Sequence, residues 1–138
     1  MSLYLDASVV VPLFLKDALS ARAFALMRAQ KAALVISDWA GLEVSSVVAR
    51  QMRIGALTKS QAEGALANFD LWRSNSACTA ETSAADIADA AQFVRRLDVT
   101  WRGPDAVHLA IARRVGAIVC TFEARMETAA LALGLAVA

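Results

Sequence analysis

The sequence predicts an α/β fold of three layers, with a central parallel sheet of about five strands covered by helices on both faces. Three observations lead there. Short apolar runs rich in β-branched or aromatic residues recur at Leu3–Leu5, Leu34–Ile36, Ala77–Thr79 and Ala117–Cys120, with a weaker run at Leu135–Val137. Helix-length stretches separate them, so strands and helices alternate along the chain. Joining parallel strands requires long crossover connections, and helices on both faces are the economical way to supply them.

In order, Leu3–Leu5 opens the sheet and leads into a short helix that Ser8 could cap, followed by a helical stretch at Ser20–Gln30. After Leu34–Ile36 come Asp38–Arg53 and Thr58–Arg73, the second opened by a capping box of Thr58 with Gln61. Ala77–Thr79 precedes Ser83–Arg96, where Ser83 and Asp86 repeat that arrangement. Pro104, suited to the first helical position, opens Pro104–Val115, and Ala124–Leu133 follows the run at Ala117–Cys120. Gly55, Gly116 and Gly134 mark helix stops. No linker, low-complexity tract or repeat divides the chain, so one domain is expected over residues 1–138.

With 58% hydrophobic and 20% charged residues the chain is too apolar for disorder. Met1–Leu15 has no basic start and carries Asp6 in its middle, and the apolar stretch Thr128–Ala138 is far short of the roughly 20 residues of a membrane span. A cytoplasmic protein with no membrane partner is the expectation. The net charge of +1 supplies no electrostatic argument for nucleic acid. Cys78 and Cys120, flanked by small or apolar residues, read as structural rather than as a metal or redox pair.

The acids carry the chemistry. Asp6 directly follows the first strand, which places it at the carboxyl edge of the sheet, although capping the next helix would also explain it. Glu43 lies in Trp39–Ala49, a helical stretch with no other charge, where it either needs a partner or is an exposed residue paired through Arg50. Asp105 sits in the first turn of its helix and Glu123 between a strand and a helix, both places where the helix dipole favours acid on its own. Two of the four follow strands and a third opens a helix, so one sheet edge can collect them. Four carboxylates in one cleft repel, and either protonation or a divalent cation with oxygen ligands relieves the repulsion; such a site suits Mg²⁺ or Mn²⁺.

Four blocks then resemble a known family: Leu5-Asp6-Ala7-Ser8, Leu42-Glu43-Val44, Pro104-Asp105-Ala106-Val107-His108-Leu109-Ala110-Ile111-Ala112 and Thr121-Phe122-Glu123-Ala124-Arg125-Met126. In this order the chain resembles PIN-domain nucleases, most closely the VapC-type toxins of prokaryotic toxin–antitoxin pairs. The resemblance implies a metal-dependent endoribonuclease using Mg²⁺ or Mn²⁺, a homodimer, and a cognate antitoxin as partner. It matches Asp6, Glu43 and Asp105 to the principal acids, puts Glu123 where the family usually has Asp, and assigns Ser8 and Thr121 as hydroxyls that support the site. Asp6 and Asp105 are expected as direct metal ligands, and Glu43 as a ligand or one acting through water.

His108 lies three residues after Asp105 in an otherwise apolar block, which favours a structural histidine over a general acid. Trp39, Trp72 and Trp101 suit the core or a dimer contact better than base stacking. Arg95, Arg96, Arg102 and Arg125 are candidate phosphate contacts. A non-catalytic PIN-like module that binds RNA or a partner is the main alternative. A phosphate-accepting receiver domain is disfavoured by the lack of a D-x-D start and of a lysine near the last strand.

Overall fold

A computed structural model describes all 138 residues, Met1–Ala138. The strands are β1 (Ser2–Leu5), β2 (Ala33–Ser37), β3 (Ala77–Ala80) and β4 (Ile118–Cys120). The helices are α1 (Ala7–Phe14), α2 (Ser20–Ala29), α3 (Asp38–Arg53), α4 (Lys59–Ser76), α5 (Ala84–Val94), α6 (Gly103–Val115) and α7 (Ala124–Ala132). All strand pairs are parallel and the order across the sheet is β3-β2-β1-β4. In register, Leu5 lies beside Ile36 on one side and Cys120 on the other, so the strands end together and the residues after them share one edge.

Side chains alternate across the sheet, as the two-residue strand period requires. Leu3, Leu5, Ile36 and Cys120 face a core formed with Val9 and Val10 of α1, Ala40 and Val44 of α3, and Phe69 of α4. Tyr4 and Val119 face the opposite core, built from Phe93 of α5, Leu109 and Ile111 of α6, and Met126 of α7. β1 and β4 are therefore buried on both sides, which is why they read as unbroken apolar runs, while the edge strand β3 leaves Cys78 and Thr79 exposed.

The expected fifth strand is present only as one parallel bridge, Val137 beside Val119. Gly134, at φ +73°, turns the chain after α7, and Val119 receives two backbone bonds there, one to the Ala136 carbonyl and one from the Ala138 N–H. With β4 itself three residues long, little edge is offered to extend the pairing. Helix starts also shift slightly. α6 begins at Gly103 with Pro104 second, and Asp6 rather than Ser8 caps α1 by accepting from the Val9 N–H. The Thr58–Gln61 and Ser83–Asp86 capping boxes both form.

Candidate active site

β1 has β2 on one side and β4 on the other, so the connections leaving the sheet diverge between β1 and β4. In a parallel sheet that divergence opens a crevice beyond the carboxyl ends of the strands. Asp6 follows β1 at this point and Thr121 follows β4. The Asp6 N–H donates to the Cys120 carbonyl at 3.3 Å, which ties the two strand ends together. Ser8 Oγ donates to Asp6 Oδ1 at 2.6 Å, and Thr121 Oγ1 donates to Asp6 Oδ2 at 2.7 Å. The same hydroxyl oxygens accept from the next turn, Ser8 from the Phe122 N–H and Thr121 from the Glu123 N–H. With both protons committed to Asp6, the 3.3 Å approach of the two hydroxyls is a contact rather than a third bond. Burial raises the Asp6 pKa, and the donors from Ser8 and Thr121 hold the rise in check.

Glu43 comes from the second turn of α3, whose start is fixed by Ser37 accepting from the Ala40 N–H. Its partner is not Arg50. Glu43 Oε2 lies 2.6 Å from His108 Nε2 of α6, and His108 Nδ1 lies 2.7 Å from the Tyr4 hydroxyl. The histidine is 1% exposed and the glutamate side chain 29%, so the pair joins the core to the cleft.

Asp105 stands in the first turn of α6, and its Oδ2 is buried with no hydrogen-bond partner. Burial, reinforced by the nearby Glu123 carboxylate and opposed by His108 and Arg102, pushes its pKa up to about 6. Glu123 is exposed at the start of α7, and its side chain makes no cap bond. Asp6, Glu43, Asp105 and Glu123 line one cleft of about 670 Å³ together with Ser8, Arg102 and Phe122.

A family model described as PIN domain matches residues 3–131. The chain belongs to the PIN-domain family. No curated protein sequence matches it. Among solved structures it is similar to VapC20 of Mycobacterium tuberculosis, described as a toxin that cleaves the sarcin–ricin loop, at a TM-score of 0.75 and 18% identity over 92% of this chain and 94% of that one. It is also similar to VapBC2 of Rickettsia felis, solved on a promoter DNA fragment, at a TM-score of 0.71 and 14% identity over 100% and 98% of the two chains. A toxin–antitoxin complex from Klebsiella pneumoniae gives a TM-score of 0.60 and 16% identity over 89% and 87%. At these identities the likeness is one of fold.

Set in the PIN fold, the four acids expected from the sequence share the cleft. Their donors are all carboxylate oxygen, the chemistry of a hard dication, and the partnerless Asp105 Oδ2 is the atom most in need of one. The set fits Mg²⁺ or Mn²⁺ in donor type. No three acid, histidine or cysteine side chains of the chain converge tightly enough to enclose an ion as they stand. Of the four arginines read as phosphate contacts, only Arg102 lines the cleft; Arg96 is bound to Asp98 and the Ala132 carbonyl. None of the tryptophans lines it, and all three pack against the two cores. Phe122 does line it, with the Arg22 guanidinium 4.2 Å from its ring centre. Sequence reasoning missed the contact of His108 with Glu43, although spacing held a hint: His108 is three residues from Asp105 and therefore on the same helical face. Cys120 is buried as expected, whereas Cys78 is exposed, and both are free.

Proposed function

We propose that this PIN domain is a metal-dependent endoribonuclease and the toxin of a toxin–antitoxin pair. The observation that carries the reading is the partnerless, buried Asp105 oxygen beside three further carboxylates at the switch point of the sheet. Asp6 and Asp105 would hold Mg²⁺ or Mn²⁺ directly, Glu43 directly or through water, and Glu123 from the rim. The ion, when bound, supplies positive charge to the scissile phosphate and acidity to water. Ser8 and Thr121 orient both oxygens of Asp6, so that acid is set before any ion or substrate arrives. Arg102 gives the cleft a cation for an RNA phosphate. The cleft holds no cysteine, and Ser8 is engaged in orienting Asp6 and in accepting from the Phe122 N–H, so water is the proposed nucleophile.

An antitoxin and a second copy of the chain are the proposed protein partners. Leu42 of α3 and Leu71 of α4 are more than half exposed and offer apolar surface for such contacts. A cytoplasmic location is proposed with them; no helix is long and apolar enough to cross a membrane. The rival reading, a non-catalytic RNA- or partner-binding module, draws on the lack of a closed ion-binding cluster.

Cleavage of RNA by the pure protein separates the two. We expect cleavage with Mg²⁺ or Mn²⁺, none in excess EDTA, and loss of at least a hundredfold in Asp6→Asn and Asp105→Asn proteins that remain folded. That loss corresponds to about 2.7 kcal/mol of barrier. RNA cleavage that survives EDTA, or a folded Asp105→Asn protein of full activity, would sink the reading.

A further inference from the structure

We propose that His108 is a positioning residue for Glu43, the last link of a one-way hydrogen-bond chain that starts at the backbone of α3 and passes through Ser37 and Tyr4. The inference rests on the reading of Glu43 as an acid of the metal site. Ser37 Oγ is 3.0 Å from the Ala40 nitrogen and 2.7 Å from the Tyr4 hydroxyl. Tyr4 in turn is 2.7 Å from His108 Nδ1, and His108 Nε2 is 2.6 Å from Glu43 Oε2. Ser37, Tyr4 and His108 are all buried.

Donor arithmetic sets the direction. A backbone N–H can only donate and a carboxylate can only accept, so both ends are fixed. Ala40 donates to Ser37, Ser37 to Tyr4, Tyr4 to Nδ1, and Nε2–H to Glu43, with each proton used once. The opposite tautomer fails at both ends: it would set an Nε2 lone pair against a carboxylate at 2.6 Å and leave the buried Ser37 proton without an acceptor.

A polar chain kept only for the core would close on internal partners. This one ends on an acid at the cleft, and it spans β1, the β2–α3 junction and α6. Glu43 is thereby tied through Oε2 to a histidine whose other ring nitrogen is anchored to β1 and the β2–α3 junction, which reduces the side-chain ordering that ion binding would otherwise require.

His108 is the only histidine, so selective ¹⁵N labelling reports on it alone. In the metal-free protein Nε2 should carry the proton and Nδ1 should be bare; Tyr4→Phe should move the Nδ1 resonance and Glu43→Gln the Nε2 resonance. Calorimetric titration with Mn²⁺ should show Tyr4→Phe binding roughly three- to tenfold more weakly, the scale of one net hydrogen bond. His108→Gln, which keeps an N–H donor, should retain more affinity than His108→Ala. Tyr4→Phe keeps the aromatic ring and so guards against loss of fold. A protonated Nδ1 with bare Nε2, or Mn²⁺ titrations of Tyr4→Phe and His108→Gln that superpose on the parent, overturns the relay alone. A parent protein that neither binds Mn²⁺ nor cuts RNA overturns the nuclease reading, and the relay with it.

Discussion

At Asp105 the cost of burying an acid, with Glu123 beside it, can be measured directly. Its folded pKa of about 6 lies above the ordinary 3.8, so folding favours the protonated form. The contribution to stability is then full below about pH 4 and is lost as pH rises through about 6. A shift of roughly two units corresponds to at most about 3 kcal/mol. In EDTA, Asp105→Asn should therefore melt several degrees above the parent at pH 7, with the gap closing by pH 4; equal melting at pH 7 refutes this. Glu123 poses a different question, because it keeps the charge of the aspartate usual in the family on a longer arm. The longer side chain loses more rotamer freedom when held, yet still reaches an ion. Glu123→Asp should keep cleavage within about tenfold, or ~1.4 kcal/mol. Glu123→Gln should raise the Mn²⁺ concentration for half-maximal rate more than it lowers the maximal rate. A Glu123→Gln protein that titrates like the parent would reduce the site to Asp6, Glu43 and Asp105.

Among elements, α5 and α6 are joined by an ion pair whose pH dependence has the opposite sign. Asp86 closes the capping box of α5 with Ser83 and accepts from both Nε and Nη2 of Arg114 on α6. Burial alone would raise the Asp86 pKa, but Arg114 and Ser83 hold it below the ordinary range. Its contribution is therefore present above about pH 4 and lost as pH falls. Arg114→Ala should lower the urea midpoint at pH 7, because a carboxylate only 1% exposed loses its cation, and the penalty should shrink toward pH 3. A penalty independent of pH would mean that Arg114 contributes packing rather than charge. Two residues later α6 stops at Gly116, which at φ +65° adopts the left-handed conformation that closes helices. Gly116→Ala should cost about 1 kcal/mol by the same urea assay.

For the whole molecule, the proposed ion binding would be coupled to folding. An ion that binds only the folded chain stabilises it by mass action, about 2.7 kcal/mol at a hundred times its dissociation constant. Mn²⁺ should raise the melting temperature of the parent and have little effect on Asp6→Asn or Asp105→Asn. A rise of equal size in all three would place the ion elsewhere. In cells, expression of the chain alone should slow growth, and the antitoxin should restore it.

The local content of the structure was legible in the sequence. Strand ends, capping boxes, the glycine stops and the placement of Asp6 and Thr121 after β1 and β4 depend on neighbours a few residues away, and periodicity carries that information. The fold class followed, because alternating strands and helices leave few ways to bury both faces of a parallel sheet. Strand order did not follow: only the packed sheet puts β4 beside β1 and so makes their shared edge the switch point. The partner of Glu43 is likewise a tertiary decision, since His108 lies 65 residues away and reaches it only because α3 and α6 meet above Tyr4. Packing also chose Arg102 over the other three arginines, for which composition offered no distinction. Short-range chemistry is written along the chain; which distant groups share a low-dielectric cleft is decided by the topology that brings them together.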